Sequence, residues 1–513
     1  HTKEIKQSPA ANLAVTLAGR LPGLTSVQRS GEPGRDVTQL FIRGLGTINA
    51  QAPIILVDGI ERELTYIDPN EVESITILKD ASSTAIFGVR GANGVILITT
   101  RRGVSETPAI NFSAEMGMQD FPRLITPVNS YEFATLRNLA QRNDGIAETF
   151  SDEAIELYRS GSDPLRYPNT NWNELLFKDF ALMNRYNLNV SGVSRFVKYF
   201  VNAGYLHQGG QFNIEPGLAY DPSAKLDRYN FRSNIDIQLN KTLKATLNIA
   251  GYFERQNMPT GIFKPQLFPD LNGTLSSQSP VADILRYMNM LPATVPGPTA
   301  PDGSVVTAGD VIHPAYGQLN RSGYIQQSRS NVTATYGMEQ GLDFVTKGLS
   351  AKVLMSFDSR LTNNLFANKN YEKSLQVIDR NRPDADGRDS VYYVPFNSDR
   401  TTPLAISGSR FFTTLSNVQA YLNYNRSFGD HAVTGLLLFQ QQKSIIDEAL
   451  PYNLRGLAAR LTYGFRDKYF FEFNGGYNGS EQFSKENRFG FFPAVSAAWN
   501  ISNEPFLRDN RLI

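Results

Sequence analysis

From Asp227 to Glu254 the chain reads DRYNFRSNIDIQLNKTLKATLNIAGYFE, two runs of period two joined at Asn240-Lys241. Successive side chains of a strand point to opposite faces. In the first run Tyr229, Phe231, Ile235, Ile237 and Leu239 therefore share one face, and Arg228, Asn230, Arg232, Asn234, Asp236 and Gln238 the other. The second run repeats the division, with Leu243, Ala245, Leu247, Ile249 and Phe253 against Lys244, Thr246, Asn248, Tyr252 and Glu254. One face is apolar and the other carries ions and amides. A soluble sandwich would alternate in the same way, so the connections between such runs must decide.

Twelve strands of this kind are expected, near residues 109–119, 185–194, 197–208, 227–240, 242–254, 327–340, 349–361, 415–427, 431–443, 455–466, 468–480 and 489–501. Tight links at 194–196, 240–241, 341–348, 428–430 and 466–467 alternate with long ones, notably 120–184, 256–326 and 362–414. Short turns at one rim and long loops at the other mark a transmembrane antiparallel β-barrel. Ten residues rising ~3.3 Å each and tilted by ~40° cover its ~25 Å apolar band. Tyr463, Phe465, Tyr469, Phe470, Phe471, Phe473 and Tyr477 gather around one tight turn, as an interfacial girdle requires. The fold class is thus mostly β, a barrel with about 12 strands in this chain, its N-terminal part occupying residues 105–513.

Residues 1–104 follow another grammar, that of a small α/β unit. Ser8 and Pro9 open a helix in which Leu13, Leu17 and Leu21 recur until Pro22-Gly23 stops it. Short strands are expected at Val37–Ile42, Ile54–Val57, Ser74–Leu78 and Gly94–Thr100, with a short helix between Asp80 and Gly88. In the first long loop Tyr131–Arg142 and Asp152–Arg159 read as helices, the second capped by Ser151.

Composition removes whole classes of function. Lys and Arg number 50 against 49 Asp and Glu, so no basic footprint for nucleic acid exists. There is no Cys, and the four His, His1, His207, His313 and His431, are scattered, which argues against thiol catalysis, a triad or a metal cluster. No Gly-x-Ser-x-Gly elbow occurs, and no enzyme is expected. Gly44-Leu-Gly46 resembles the start of a phosphate cradle, but Asn49 stands where a dinucleotide fingerprint needs its third Gly. No cofactor is expected. Asp384, Asp386 and Asp389 have the spacing of a calcium loop without its distal Glu, so a solvated turn is preferred to a structural calcium site.

Seven motifs then follow one another: Leu17-Ala-Gly-Arg-Leu-Pro-Gly-Leu24, Ser30-Gly-Glu-Pro-Gly34, Phe41-Ile-Arg-Gly-Leu-Gly46, Ile55-Leu-Val-Asp-Gly59, Asp68-Pro-Asn-Glu-Val-Glu-Ser-Ile75, Leu78-Lys-Asp-Ala-Ser-Ser-Thr-Ala-Ile-Phe-Gly88 and Arg90-Gly-Ala-Asn-Gly-Val-Ile-Leu-Ile-Thr99. Together they resemble the plug domain of SusC-like (SusC/RagA family) TonB-dependent outer-membrane transporters. Gly476-Tyr-Asn-Gly-Ser-Glu-Gln-Phe483 resembles the family's barrel. The resemblance implies a plug inside a barrel of 22 strands in the outer membrane of Bacteroidetes-type bacteria. It also implies a SusD-like surface lipoprotein as lid, energy from the TonB-ExbB-ExbD complex, and pairs of transporter and lid associated as a dimer. Import of an oligosaccharide or other glycan, otherwise a peptide, is the expected activity; a plugged-barrel scaffold without transport is the alternative. The segment before the plug, with any TonB box, and the remaining strands are expected to lie outside this chain.

Within the plug motifs Arg43, Gly44, Asp58, Gly59, Lys79, Asp80, Gly88, Arg90, Gly91, Asn93 and Gly94 are candidates for gating or contact with the barrel. The inward face of the barrel would meet them through Arg228, Arg232, Asp236, Lys244 and Glu254. Loop aromatics such as Phe263, Phe268, Tyr287, Tyr316, Tyr371, Tyr392 and Tyr393 are available to a ligand, without one being assigned.

Overall fold

The computed structural model describes residues 5, 10–28, 30–36, 38–44, 52–80, 84, 91–261 and 280–507. The N-terminal unit holds α1 (Leu13–Thr16), β1 (Leu24–Gln28), β2 (Thr38–Ile42), β3 (Ile54–Val57), β4 (Ile60–Glu61), β5 (Val72–Leu78) and β6 (Val95–Thr100). β1 pairs with β2, and a second sheet has the order β4-β3-β6-β5. Leu13, Leu17, Leu40, Val57, Val72, Ile96 and Ile98 form its core. The helix is shorter than the leucine spacing suggests. The Asn12 side chain accepts from the Ala14 N–H and starts α1 afresh, and the chain turns after Leu17. Ser8, Pro9 and the stretch between Asp80 and Gly88, apart from Thr84, lie outside the described residues.

The remaining strands build one antiparallel sheet. Its members are β7 (Ala109–Gln119), β8 (Ala181–Val193), β9 (Val197–Gln208), β10 (Lys225–Gln238), β11 (Leu243–Pro259), β13 (Gly323–Gly341), β14 (Leu349–Asn368), β17 (Ala405–Phe428), β18 (His431–Ile446), β19 (Tyr452–Phe465), β20 (Tyr469–Ser480) and β21 (Phe489–Trp499). Each lies beside its predecessor in that order, so the sheet is a 12-stranded meander. All twelve match expected strands. Several run further toward the long loops, as where β14 and β17 stay paired to Asn368↔Ala405. Asn363, Asn364, Ser407 and Ser409 there carry no apolar alternation from which the extension could be read.

Burial in this sheet is inverted. On β10 Tyr229 and Phe231 stay 52% and 43% exposed, whereas Arg228 and Arg232 are 4% and 5% exposed. On β14 Met355 and Phe357 are exposed while Ser356 and Asp358 are buried. Such a surface suits lipid outside and a polar filling inside, and a soluble sandwich would bury the opposite face. No helix among the described residues is long and apolar enough to cross a membrane.

The long loops fold over one rim. α2 (Ser130–Asn143) carries a capping box between Asn129 and Glu132, and α3 (Asp152–Ser160) is capped by Ser151 and closed by Gly161 in the left-handed region. Three further short helices, α4 (Trp172–Leu176), α5 (Pro280–Met288) and α6 (Ala315–Asn320), were not legible in the sequence. Nor was the small sheet of β12 (Val305–Val306), β15 (Lys373–Pro383) and β16 (Asp389–Pro395). Trp172, Leu176, Phe177, Ile284 and Leu319 share a core there, with Tyr316 inside it and Tyr287, Tyr371 and Tyr393 packed against it. Those four tyrosines are thus engaged in loop packing, Tyr392 is 43% exposed, and Phe263 and Phe268 lie outside the described residues.

The segment that leaves the N-terminal unit passes very close to the wall at Gly103. A Cβ there would fall 2.0 Å from the Gly192 carbonyl oxygen and 2.8 Å from that of Tyr199, both backbone atoms that cannot swing aside. Gly103→Ala is therefore expected to lower the yield of folded barrel, read as heat-modifiable mobility on gels. A variant as stable as the parent would refute this close approach.

Candidate functional site: the plug against the barrel wall

Three rows of inward side chains, four residues apart along β10, meet the N-terminal unit. In the first, Arg228, Glu254 and Arg329 stand opposite one another on β10, β11 and β13. Glu254 is fully buried, 2.6 Å from Arg228 and 2.7 Å from Arg329. The Arg228 guanidinium donates at 2.8 Å to the Ala11 carbonyl, and Arg185 donates to that of Ala10. Gln256 Nε2 donates at 2.6 Å to the Pro33 carbonyl. Tyr66 stacks on Tyr252 with centroids 4.1 Å apart and lies under the Arg228 guanidinium. Burial raises the nearby Asp36 carboxyl above its ordinary range, and Arg228 opposes this.

The second row has opposite charges at its ends. Arg232 on β10 and Asp358 on β14 are joined in register through Ala250 and Thr333. Each finds its complement on the plug. Arg232 pairs with Glu71 at 2.8 Å, and Asp358 receives Arg62 in a two-pronged contact at 2.8 and 2.9 Å. Arg62 also donates to Thr335 at 2.9 Å, Asn202 donates to Glu71 at 3.3 Å, and Arg360 pairs with Glu63. In the third row Asp236 takes Arg102 at 2.8 Å, with Lys244 at 3.7 Å and the Thr246 hydroxyl at 2.9 Å. Asn234 ties the same level to Thr100 and the Arg101 carbonyl.

On the wall, Arg228, Arg232, Asp236 and Glu254 are buried, and Lys244 stands 3.7 Å from Asp236 with its side chain partly exposed. The plug candidates are placed differently. Arg43 pairs with Asp80 at 2.8 Å on an exposed surface, and Lys79 donates to the Pro22 carbonyl at 3.3 Å. Asp58 accepts from the Thr100 N–H and hydroxyl at 2.9 and 2.6 Å. With Gly59 it forms the β3–β4 turn, both residues at positive φ of 51° and 88°. These contacts of Arg43, Lys79 and Asp58 lie inside the plug, and the Gly59 carbonyl reaches the wall, accepting from Gln419 at 3.3 Å. Gly91, Asn93 and Gly94 form the entry to β6, where a Cβ on Gly94 would fall 2.6 Å from Ile42 Cδ1. Gly44 has a φ of 90°, and Gly88 and Arg90 lie outside the described residues.

Asp36, Arg62, Glu63, Tyr66, Glu71 and Arg102 are the plug residues that sequence reading missed. Charges at every fourth position of the inward face of β10 were the available signal, since they demand complements on whatever fills the barrel. Asp384 is likewise occupied: it accepts from the Asp386 and Arg388 N–H groups and pairs with Arg166. Among the described residues no group of three acidic or histidine side chains is arranged to hold a metal.

Burial pushes Glu71 up to about 7, outweighing the attraction of Arg232 that works in the other direction. A carboxyl whose docked pKa is raised above its ordinary 4.5 favours docking fully below that value. Its contribution is lost as pH rises through about 7. The chain has no native Cys, so an introduced Asn70→Cys, at a buried plug position, reports on docking. Maleimide labelling, divided at each pH by the rate of the denatured variant to remove the ionisation of the thiol itself, is expected to quicken from pH 5 to pH 8, and Glu71→Gln to flatten the slope of that ratio. An unchanged slope in the variant would assign the effect to another group.

Residues 1–95 match the TonB-dependent receptor plug domain. TonB-dependent receptor P3 of Formosa agariphila is 27% identical over 99% of this chain and 47% of its own length. TonB-dependent receptor SusC of Bacteroides thetaiotaomicron is 22% identical over 99% of this chain and 49% of its own. The chain therefore spans about half the length of these curated relatives. Among solved structures, the RagAB peptide importer in its closed-closed state superposes with a TM-score of 0.69 at 20% identity, over 98% of this chain and 57% of that one. That likeness concerns the fold.

Proposed function

The chain is SusC-like, the plug and adjoining outer-membrane barrel strands of a TonB-dependent transporter, and from that premise we propose that the whole protein actively imports a nutrient. The cargo in this reading is an oligosaccharide or other glycan, otherwise a peptide, and no bond in it is broken. A SusD-like surface lipoprotein closes over the long loops, and the TonB-ExbB-ExbD complex supplies the work.

The observation that carries the reading is the chemistry of the plug–wall interface. It is built chiefly on ion pairs and amide contacts, beside the Tyr66–Tyr252 stack and a small apolar patch where Ala11 meets Met183, Leu206 and Leu226. A greasy seal would expose apolar surface to water whenever the plug moved. Ions and amides exchange their partners for water at a far smaller net cost. Force applied from the N-terminal side would first reach Ala10 and Ala11, which Arg185 and Arg228 hold, then Asp36 beside the same row. Arg62–Asp358 and Glu71–Arg232 lie further along the chain. Gating becomes a stepwise rehydration of rows.

The test is uptake. Proteoliposomes carrying the complete protein, its lid lipoprotein and an energised TonB complex are expected to accumulate labelled oligosaccharides or peptides. A folded, plugged barrel that moves neither would overturn the import reading.

A further inference from the structure

The outer face of β18 and β19 changes chemistry along one line. Below it the outward positions carry Leu437 and Phe439 on β18 and Leu461 and Leu457 on β19, all exposed. Above it register sets Gln441 beside Arg455 and Lys443 beside Asn453, four polar side chains on the same face. Lys443 lies twelve residues past His431, and Arg455 ten before Phe465. At ~3.3 Å per residue and ~40° of tilt they stand roughly 30 and 25 Å from the short-turn rim. This is the far edge of a ~25 Å apolar band, on the side of the long loops. Both cations are exposed, and neither they nor Gln441 make a side-chain hydrogen bond or ion pair among the described residues. Asn453 donates at 2.6 Å to Glu481, an exposed acid past the end of β20. Beside Arg455 the surface is flat. Gly479 is its register partner on β20, and a Cβ there would fall 2.4 Å from the Phe489 ring, which stacks on Tyr477 with centroids 5.1 Å apart.

We propose that this patch binds one phosphorylated lipid of the outer leaflet. The Lys443 ammonium and the Arg455 guanidinium hold its phosphate, and Phe439, Leu457 and Tyr477 lie along its acyl chains. Diagonal neighbours on adjacent strands are roughly 7–8 Å apart, so two long side chains can close on one phosphate from both sides. Such charge-assisted bonds are about twice as strong as neutral ones, and Gln441 adds an amide donor beside them. A cation at a membrane rim can also simply reach into water. Two features set this pair apart from that case. Other cations nearby find carboxylates on the protein, as Arg460 does in Glu472 and Arg466 in Asp430, whereas the complement of Lys443 and Arg455 has to come from outside. The apolar shelf lies directly below the charges, so headgroup and chains of a single molecule meet their partners together. A free anion would leave the shelf unused, and an uncharged lipid would leave the cations unused. The site is on the outside of the barrel and does not depend on the import reading.

The test uses the full-length protein in an uncharged maltoside detergent free of phosphate, with bisphosphorylated lipid A and the same lipid after dephosphorylation as probes. Native mass spectrometry counts the lipid retained. The parent is expected to keep the phosphorylated form in preference to the other. Lys443→Gln combined with Arg455→Gln should weaken retention roughly tenfold or more. Arg426→Gln, which removes an outward cation at the opposite rim, should leave retention unchanged, and heat-modifiable mobility shows that each barrel remains folded. Inorganic phosphate should fail to displace the lipid. Equal retention by the parent and the double variant would overturn the site, as would equal retention of the two lipids. An equal loss in Arg426→Gln would reduce the effect to diffuse charge and overturn it too. Displacement by inorganic phosphate would overturn the lipid assignment. A double variant that loses self-association while keeping its lipid would give the face to a second copy of the chain and overturn the proposal.

Discussion

Glu254→Ala is expected to weaken plug docking by about 3–5 kcal/mol, the scale for removing one partner from a buried ion pair. The variant leaves Arg228 and Arg329 facing each other across an empty place. Both guanidiniums are nearly as buried as Glu254 itself, at 5% and 11% side-chain exposure, so water cannot take over the lost contacts without the plug moving. Two like charges then repel in a poorly screened site, and the Asp36 carboxyl beside them becomes their remaining counterweight. Labelling of Asn70→Cys should rise by roughly two to three and a half orders of magnitude if opening is in fast equilibrium, because ~1.4 kcal/mol is a factor of ten. Glu254→Gln should fall between parent and Ala, keeping the shape and one acceptor. The exposed Arg43–Asp80 pair supplies the contrast: Asp80→Ala should change docking by no more than ~1 kcal/mol. Equal effects from the two substitutions would remove the ion row from its anchoring role.

That contrast also shows how much the sequence discloses. The barrel strands were legible because period two survives in the membrane-crossing parts, where lipid selects one face and the lumen the other. Arg228, Arg232 and Asp236 could be placed on the inner face by parity alone. What parity cannot supply is the plug's side of the interface. Glu71 closes the short turn that follows Asp68, just before β5, and Arg62 lies just past β4. Both are loop-flanking charges with no periodicity around them. The glycine-rich motifs drew attention to Arg43, Asp58 and Lys79 instead, whose described contacts stabilise turns within the plug. The loop sheet of β12, β15 and β16 escaped for a related reason: its parallel pair joins Val305 to Lys373, and no local pattern connects segments that far apart. Gln419, Gln440 and Asn478 were present as polar positions of β17, β18 and β20, but their alignment across the sheet depends on register.

The second large effect belongs to the outer face. Met355→Arg is expected to cost about 2–4 kcal/mol of barrel stability, the penalty for a guanidinium at the bilayer midplane. Met355 is 53% exposed and stands in register with Tyr336 on β13, itself 58% exposed, and with Val418 on β17. Together these three form a largely apolar strip that contains no carboxylate to pair with a charge. The depth follows from the chain: Met355 is six residues past the start of β14 at Leu349, which at ~3.3 Å per residue and ~40° of tilt is roughly 15 Å from the short-turn rim. In an apolar band of ~25 Å this is near the centre. Leu422 tests the same face at a shallower level, since it pairs with Ala351, only two residues from that rim, and is 42% exposed. Leu422→Arg should cost no more than ~1 kcal/mol, because the side chain can reach the interface. Folding into vesicles of defined thickness, read by heat-modifiable mobility across a urea series, separates the two. A depth-independent cost would mean that this strip is covered by protein instead of lipid. A large loss at Met355 with little at Leu422 would fix the height of the barrel in the membrane, and with it the levels at which the ion rows lie.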